Sequence, residues 1–235
     1  MTDCATRYTR DFVLSALLPG ARRVLEIGCG GGALAAALKK DGLDVVAIDA
    51  DAEMVAEAAA RGVDARVAVW PDFADGQFDA VLFTNSLHHI ADLEASVAAA
   101  FAAIGGSGRV IVEDHATEGA SPRSEAWFRS FAAMLRSANL LDGLTAHLAE
   151  ILDQAGGDPH DHDLHDSTSI RSALEAQAGA LRSENAAYYF RYLLRALEPE
   201  SALAPAILDH ERTLIAQGLI DPLGRRHVAA PSESS

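Results

Sequence analysis

The fold of this chain is decided by nine residues, Val24-Leu25-Glu26-Ile27-Gly28-Cys29-Gly30-Gly31-Gly32. The first four form a mostly apolar run that predicts a buried β-strand, and the glycines after them predict a tight turn into a helix. Because glycine has no Cβ, the backbone N–H groups of such a turn stay open to a ligand. The stretch therefore predicts a nucleoside-binding cradle at the end of a parallel strand.

An acidic residue follows at the separation that this kind of cradle requires. Asp49 ends the next apolar run and lies 21 positions after Gly28. At that separation a second parallel strand ends beside the first and offers a carboxylate to ribose hydroxyls. We expect Asp49 and the adjacent Ala50 to line the cofactor site.

The glycines alone do not identify the cofactor. Gly28, Gly30 and Ala33 also satisfy the dinucleotide pattern G-x-G-x-x-G/A, so a nicotinamide oxidoreductase stays an alternative. Glu26 separates the two classes, because a carboxylate at this strand end repels a pyrophosphate and can hold the amino group of a methionine moiety. The charge favours S-adenosylmethionine.

Five ordered motifs resemble those of the class I S-adenosylmethionine-dependent methyltransferases, and they lie at residues 25–32, 45–49, 78–83, 87–90 and 108–113. The resemblance implies a Rossmann-like α/β fold with a seven-stranded, mostly parallel sheet and helices on both faces. The last strand would lie antiparallel between the fifth and the sixth. The resemblance also implies that Gly28, Gly30 and Gly32 pass close to the methionine and ribose of the cofactor, while Asp49 binds the ribose hydroxyls.

The adenine end of the site departs from the family pattern. In the family, an acidic residue after the third strand often bonds the adenine amino group, usually further before the fourth strand than Asp72 is here. Trp70-Pro71 directly precede Asp72. We expect Asp72 and Trp70 to contact the adenine, with core packing as the alternative for Trp70. Asn85, after the fourth strand, is expected to hold the cofactor or to orient an acceptor.

Alternating strand and helix patterns predict a doubly wound parallel sheet. Strand patterns lie at residues 23–27, 44–48, 65–69, 80–84, 109–113, 181–185 and 225–229. Helix patterns lie at residues 11–18, 33–40, 52–60, 93–104, 168–176, 188–197 and 205–218. Residues 1–235 are expected to form a single methyltransferase domain, with a mobile start that includes Cys4.

Residues 116–166 are more than a strand-to-helix connection needs, and they predict a helical lid inserted after the fifth strand. Ser121-Pro122 would start its first helix, and a second apolar repeat begins at Leu140. The insertion leaves the carboxyl end of a strand, where ligands bind in such sheets. We therefore expect Trp127 and Phe131 to contact the substrate, with anchoring of the lid as the alternative.

Histidines supply the candidate general bases. His88 and His89 follow the fourth strand, and His115 ends the fifth beside Glu113 and Asp114, all expected to point into the same crevice. An imidazole titrates near working pH and can take a proton from a hydroxyl or ammonium group. We expect His115, His89 or His88 to be catalytic; the alternatives are a capping role for the paired histidines and a solvent-facing strand end.

Three further side chains are candidates for substrate binding. Residues 158–166 alternate histidine and aspartate, and His162 and His165 could bind a substrate. With His160 they could instead hold a divalent metal, although a solvated loop is the more ordinary outcome, and no metal is assigned. Tyr188 is expected to line an aromatic acceptor pocket or to pack in the core.

The composition restricts the partners of the protein. A formal charge of −15 repels phosphate backbones, so we expect a small-molecule acceptor and no nucleic acid. No apolar run reaches the length of about 18 residues that a membrane helix needs, so we expect a cytoplasmic protein, with a homodimer as one assembly. The sequence thus predicts O- or N-methylation of a small molecule. The alternative is an S-adenosylmethionine-binding protein that transfers no methyl group, such as a cyclase, decarboxylase or regulatory module.

Overall fold

The computed structural model describes residues 3–116, 120–141, 164–197 and 201–232 of the chain. Within these ranges the strands are β1 (Arg23–Ile27), β2 (Asp44–Asp49), β3 (Asp64–Val67), β4 (Ala80–Thr84), β5 (Arg109–His115), β6 (Ala180–Ala186) and β7 (Gly224–Ala230). The helices are α1 (Cys4–Ala16), α2 (Ala33–Lys40), α3 (Ala52–Ala60), α4 (Leu93–Ile104), α5 (Pro122–Ser137), α6 (Ser167–Gln177), α7 (Tyr189–Leu194) and α8 (Leu203–Ala216).

The strands form one sheet in the order β3-β2-β1-β4-β5-β7-β6. The pairs from β3 through β5 are parallel, whereas β7 is antiparallel to both β5 and β6. The predicted seven-stranded, mostly parallel sheet is confirmed, and so is the place of the last strand. The strand order reverses between β1 and β4, which is where open α/β sheets bind their ligands.

Apolar side chains cover both faces of the sheet, because successive residues of a strand point to opposite sides. Leu25 packs in one core cluster, with residues of α4 and α6. Its neighbour Val24 packs in another, with residues of α1 and α2. The prediction of helices on both faces is thus confirmed.

The first helix begins earlier than the sequence predicted. The apolar pattern suggested residues 11–18, but α1 starts at Cys4, where the Asp3 carboxylate accepts a hydrogen bond from the Thr6 N–H at 2.9 Å. This hydrogen bond caps the amino-terminal end of α1, and Cys4 is buried against the core. The expectation of a mobile start that includes Cys4 was therefore wrong, because the capping aspartate outweighs the weak apolar signal.

A buried carboxylate fixes the short helix α7. Glu211, on α8, is fully buried and accepts hydrogen bonds from the backbone N–H groups of Tyr188, Tyr189 and Phe190 at 2.7, 3.0 and 2.8 Å. These donors are the N–H groups that the start of a helix leaves without intrahelical partners. Glu211 therefore holds the residues that follow β6 in place, including Arg191 on α7.

The insertion after β5 is described in part. Helix α5 starts after Ser121, whose side chain caps it, as predicted. Residues 142–163, which include most of the predicted second helix, lie outside the described residues. The two-helix lid and its bounds at 116–166 therefore stay predictions. None of the helices in the described ranges is long and apolar enough to cross a membrane.

We predict that Glu211→Gln destabilises the fold. The amide keeps one acceptor oxygen but presents an NH₂ group to a backbone N–H, which costs about 1–3 kcal/mol when a buried hydrogen bond is lost. Urea denaturation measures the free energy of unfolding. The matched control is Glu175→Gln on the exposed side of α6, which should stay within about 0.5 kcal/mol of the wild type. Equal stability of the two variants would contradict the capping role.

Candidate functional site

Two cavities meet at the glycine turn between β1 and α2. The Trp70 cavity, of about 550 Å³, lies toward β2 and the turn after β4. The Arg191 cavity, of about 410 Å³, lies toward α1 and α7. Gly28, Gly30 and Asn85 belong to the walls of both. The two cavities are therefore the two ends of one cleft at the carboxyl ends of β1 and β4.

The three predicted glycines have different physical roles, although all have a positive φ, of 71° at Gly28, 50° at Gly30 and 72° at Gly32. A Cβ on Gly28 would lie 2.6 Å from the Ser86 Cβ, and one on Gly32 would lie 2.5 Å from the Ala58 Cβ. A Cβ on Gly30 would meet nothing within 4 Å. Gly30 thus keeps the cleft open. Gly32 lies outside the described walls and packs closely on α3, and its contact with the cofactor stays a prediction.

Asp49 connects the end of β2 to the glycine turn. Its Oδ2 accepts a hydrogen bond from the Gly30 N–H at 2.8 Å, and its Oδ1 accepts one from the Asp51 N–H at 2.9 Å. Asp49 and Ala50 both line the Trp70 cavity, where the sequence predicted them. The carboxylate therefore orders the turn and also faces the place predicted for the ribose.

Glu26 is a buried acid in the wall of the Arg191 cavity. Its side chain is 2% exposed, and its Oε1 accepts a hydrogen bond from the Thr84 hydroxyl at 3.3 Å. Burial raises the pKa of Glu26 to about 8. Among the described residues, its Oε2 has no hydrogen-bond partner. Such an orphaned buried acceptor is a site for a ligand donor.

The Trp70 cavity has an aromatic wall and an amide at its inner end. The Trp70 Nε1–H donates to the Ser96 carbonyl oxygen at 3.1 Å, and its ring meets Phe83 edge-on, with ring centroids 6.3 Å apart. Trp70 is therefore part of the core as well as part of the wall. Asn85 has a left-handed backbone, with φ at 56°, and its Oδ1 has no partner in the described part of the chain.

Asp72 follows Pro71, which lines the Trp70 cavity, but it is not itself among the lining residues. Its backbone N–H donates to the Val69 carbonyl oxygen at 3.1 Å, in a turn that leaves the side chain exposed and outside the described walls. The contact of Asp72 with the adenine stays a prediction. Trp70, the other predicted residue, is the one that lines the cavity.

A chain of hydrogen bonds runs from a buried carboxylate to the cleft. The Oδ1 of Asp114 lies 2.6 Å from the Nδ1 of His88, and the Nε2 of His88 lies 2.9 Å from the Nε2 of His89. Burial alone would raise the pKa of Asp114, but hydrogen bonds from His115 and His88 outweigh it and hold that pKa well below its usual range. Of the three predicted catalytic histidines, His89 is the one that lines the cleft.

The other two predicted catalytic histidines are buried behind His89. His88 is 3% exposed and His115 is 4% exposed. The Nδ1 of His115 lies 3.3 Å from the Asp114 carboxylate, and the Tyr188 ring stacks on His115 with centroids 4.8 Å apart. His88, Asp114 and His115 could also hold a metal ion. The 2.6 Å separation between Asp114 and His88 is that of a hydrogen bond, so we assign none.

Three of the predicted substrate contacts have structural partners. Trp127 and Phe131 stack on each other with ring centroids 5.6 Å apart, and both rings pack near His210 of α8. Tyr188 lies in the same core cluster. None of the three belongs to the described walls of the cleft. These contacts anchor α5 and α7 on α8, and the substrate contact of the three residues stays a prediction.

The histidine-rich segment is described only at its end. His165 bonds the Ile90 carbonyl oxygen through its Nε2 at 2.8 Å, and Ile90 lines the Trp70 cavity. Through this contact His165 supports the wall of the cleft rather than forming it. His160 and His162 lie outside the described residues, and the substrate contact of His162 stays a prediction.

Sequence reasoning missed several residues of the Arg191 cavity, and two of them lie on helices that pack beside the glycine turn. Thr9 on α1 and Arg191 on α7 both border it. Neither belongs to a motif, and each reaches the cleft only because its helix packs beside the glycine turn. No signal in the sequence pointed to either residue.

Comparison with known proteins agrees with this fold. Residues 4–159 match a family model described as a methyltransferase domain. An uncharacterized methyltransferase of Mycobacterium bovis is 30% identical over 148 residues, which cover 60% of this chain and 74% of that protein. A ubiquinone biosynthesis O-methyltransferase of Xanthomonas oryzae pv. oryzae is 38% identical over 98 residues. That match covers 38% of this chain and 41% of the relative, so it spans less than half of either protein.

Solved structures share the fold. A SAM-dependent methyltransferase from Archaeoglobus fulgidus superposes with a TM-score of 0.59 at 16% identity, covering 97% of this chain and 94% of that one. The plantazolicin methyltransferase BpumL in complex with SAH superposes with a TM-score of 0.56 at 13% identity, covering 97% of this chain and 82% of that one. The sheet order and the glycine cleft are those of a class I S-adenosylmethionine-dependent methyltransferase.

The chain belongs to the methyltransferase domain family, and S-adenosylmethionine is its cofactor. The residues of the cleft fit this cofactor. The open space at Gly30 admits a ligand against the backbone, and the orphaned Oε2 of Glu26 is an acceptor for an ammonium group. The orphaned Oδ1 of Asn85 is a second acceptor in the same cleft.

We predict that Gly30→Ala abolishes cofactor binding at little cost to the fold. The added Cβ would enter the cleft, while the left-handed backbone costs roughly 1–2 kcal/mol. Gly20→Ala is the matched control, because Gly20 also has a positive φ, of 87°, and open space around it. Urea denaturation should show similar losses for both variants, and calorimetric titration with S-adenosylhomocysteine should show lost affinity for Gly30→Ala alone. Equal affinity of the two variants would contradict the role of Gly30.

Proposed function

We propose that this methyltransferase methylates an oxygen or nitrogen atom of a small-molecule acceptor. The observation that carries the proposal is the position of His89, which lines the cofactor cleft and is hydrogen-bonded through His88 to the buried Asp114. The formal charge of −15 also supports it, because such a surface repels nucleic acid. One relative is named a ubiquinone biosynthesis O-methyltransferase, which agrees with a small acceptor.

Orientation supplies most of the catalysis in this proposal. When bound, S-adenosylmethionine supplies a methyl group on a sulfonium, so that an acceptor lone pair forms the bond to carbon while the carbon–sulfur electrons return to sulfur. Asp49 holds the glycine turn and binds the ribose hydroxyls, and Trp70 packs beside the adenine. Asn85 directs its amide into the place where the two ends of the cleft meet. The protein thus aligns the reactants rather than activating the methyl group.

We infer the base from the hydrogen-bond chain. In the tautomers that we assign, the ionised Asp114 accepts a hydrogen bond from His88 Nδ1–H, and His88 Nε2 accepts one from His89 Nε2–H. We assign to the imidazole of His89 the uptake of the proton that the acceptor loses. Asp114 and His88 are positioning residues, because they fix the tautomer of His89.

We further propose a cytoplasmic homodimer without a nucleic-acid partner. Each chain forms a single domain over residues 1–235, with a lid over residues 116–166. The acceptor would bind beside His89, on the side where the insertion after β5 begins.

The test of the proposed function is an acceptor screen. The protein is incubated with methyl-labelled S-adenosylmethionine and a panel of phenols, hydroxy acids and amines, with RNA and a protein mixture as further samples. We expect label in at least one small molecule, with one S-adenosylhomocysteine released per methyl group transferred. Label in the RNA or protein sample alone, or binding of the cofactor with no label transferred to any sample, would overturn the proposal.

We predict that His89→Gln lowers kcat by about 10²- to 10⁴-fold with an acceptor that arrives protonated, which is the usual contribution of a general base. The same variant should recover much of its rate with an acidic phenol assayed above the pKa of that phenol. Steady-state kinetics measures both rates. The control is His210→Gln, an exposed position on α8 outside the cleft. An equal loss of rate with both acceptors would contradict the role of His89 as a base.

A further inference from the structure

A buried network of opposite charges lies on the α1 side of β5. The Oε1 of Glu113 accepts hydrogen bonds from the Thr9 hydroxyl, at 2.5 Å, and from Arg191 Nη2. Its Oε2 accepts one from Arg226 Nε at 2.6 Å. Arg191 Nη2 also donates to the Thr9 hydroxyl oxygen at 2.8 Å. The network joins α1, β5, β7 and α7.

This network carries a surplus of positive charge. Two guanidinium groups face one carboxylate, and the side chains of Arg191, Arg226 and Glu113 are 16%, 9% and 2% exposed. Glu184 is 3.9 Å from Arg226 and 41% exposed, so it screens Arg226 rather than Arg191. The buried Glu211 attracts Arg191 electrostatically, but its two oxygens are bonded to three backbone N–H groups. A buried charge without a partner is costly, and an anion beside it removes that cost.

The surplus charge faces the cofactor cleft. Arg191 and Thr9 border the Arg191 cavity, and the Nε of Arg191 has no hydrogen-bond partner among the residues described. Glu57 and Arg61 also border this cavity, but they pair with each other and leave no net charge. Glu26 is the remaining acid in the wall. The cavity therefore offers one cation and one acid to a ligand.

We propose that Arg191 binds a carboxylate in this cavity. A guanidinium presents several N–H donors in a plane and binds carboxylates more strongly than neutral donors do. Together with Glu26, which holds an ammonium group, Arg191 recognises an amino acid zwitterion. The methionine part of the cofactor carries both a carboxylate and an ammonium group, whereas an acceptor with a carboxylate would carry only the group that Arg191 binds. The inference therefore rests on the cofactor and does not depend on which acceptor is methylated.

Contacts with α8 and α1 fix the position of the Arg191 guanidinium in the cavity wall. Glu211 caps α7 through three backbone N–H groups and so fixes the turn of helix that carries Arg191. The Thr9 hydroxyl on α1 accepts a hydrogen bond from Nη2 of the same guanidinium. The guanidinium is thus held in place before a ligand arrives, which reduces the entropy lost on binding.

The test compares two ligands that differ in their amino acid part. S-adenosylhomocysteine carries the carboxylate and the ammonium group, whereas 5′-methylthioadenosine lacks both. For Arg191→Gln, calorimetric titration should show a loss of affinity for S-adenosylhomocysteine of roughly tenfold to a hundredfold, as for a charged hydrogen bond. Affinity for 5′-methylthioadenosine should be unchanged. Arg195→Gln, an exposed arginine directly after α7, is the matched control and should bind both ligands as the wild type does.

Two further measurements keep the outcome clear. Arg191→Lys retains the positive charge and should recover part of the lost affinity, and thermal unfolding shows whether each variant is folded. An unchanged affinity for S-adenosylhomocysteine with a raised KM for acceptors bearing a carboxylate would assign the subsite to the acceptor. Unchanged values for both, or an equal loss for both nucleosides, would overturn the proposal. A failed acceptor screen would leave these binding results standing.

Discussion

The site depends on the hydrogen bonds that hold the glycine turn against the ends of two strands. The N–H groups of Gly28 and Cys29 both donate to the Ile48 carbonyl oxygen at the end of β2, at 2.9 and 3.0 Å. From the other side, the Ser86 hydroxyl donates to the Ile27 carbonyl oxygen at 2.7 Å. The turn is therefore fixed between β2 and β4 before any ligand binds. Its left-handed backbone is tolerated because glycine carries no Cβ there.

Most of the fold followed from local sequence patterns, because strands, glycine turns and capping residues act over a few positions. The same is true of Glu26 and Asp49, whose places are set by the strands they end. Arg191 could not be predicted, because it reaches the cleft through a helix whose position depends on Glu211. Periodicity placed Trp127 and Phe131 on one face of a helix, but it could not tell whether that face meets a substrate or α8.

The end of β5 supplies one acid to each side of the sheet. The sequence suggested that Glu113 and Asp114 point into the same crevice, but neighbouring residues of a strand face opposite ways. Asp114 meets two imidazoles on one face, and Glu113 meets two guanidinium groups on the other. The first acid is paired with groups that can exchange protons, and the second with groups that cannot. In the two proposals made above, one strand end thus serves proton transfer and anion binding separately.

The antiparallel strand β7 explains why the second network carries surplus charge. In the register of β5 with β7, Arg226 lies directly across from Glu113. Arg226 alone would neutralise that carboxylate, as a cross-strand pair does. Because β7 already supplies this partner, the guanidinium of Arg191 is a second positive charge on the same carboxylate. The insertion of β7 between β5 and β6 therefore connects the topology of the sheet to the charge of the cleft.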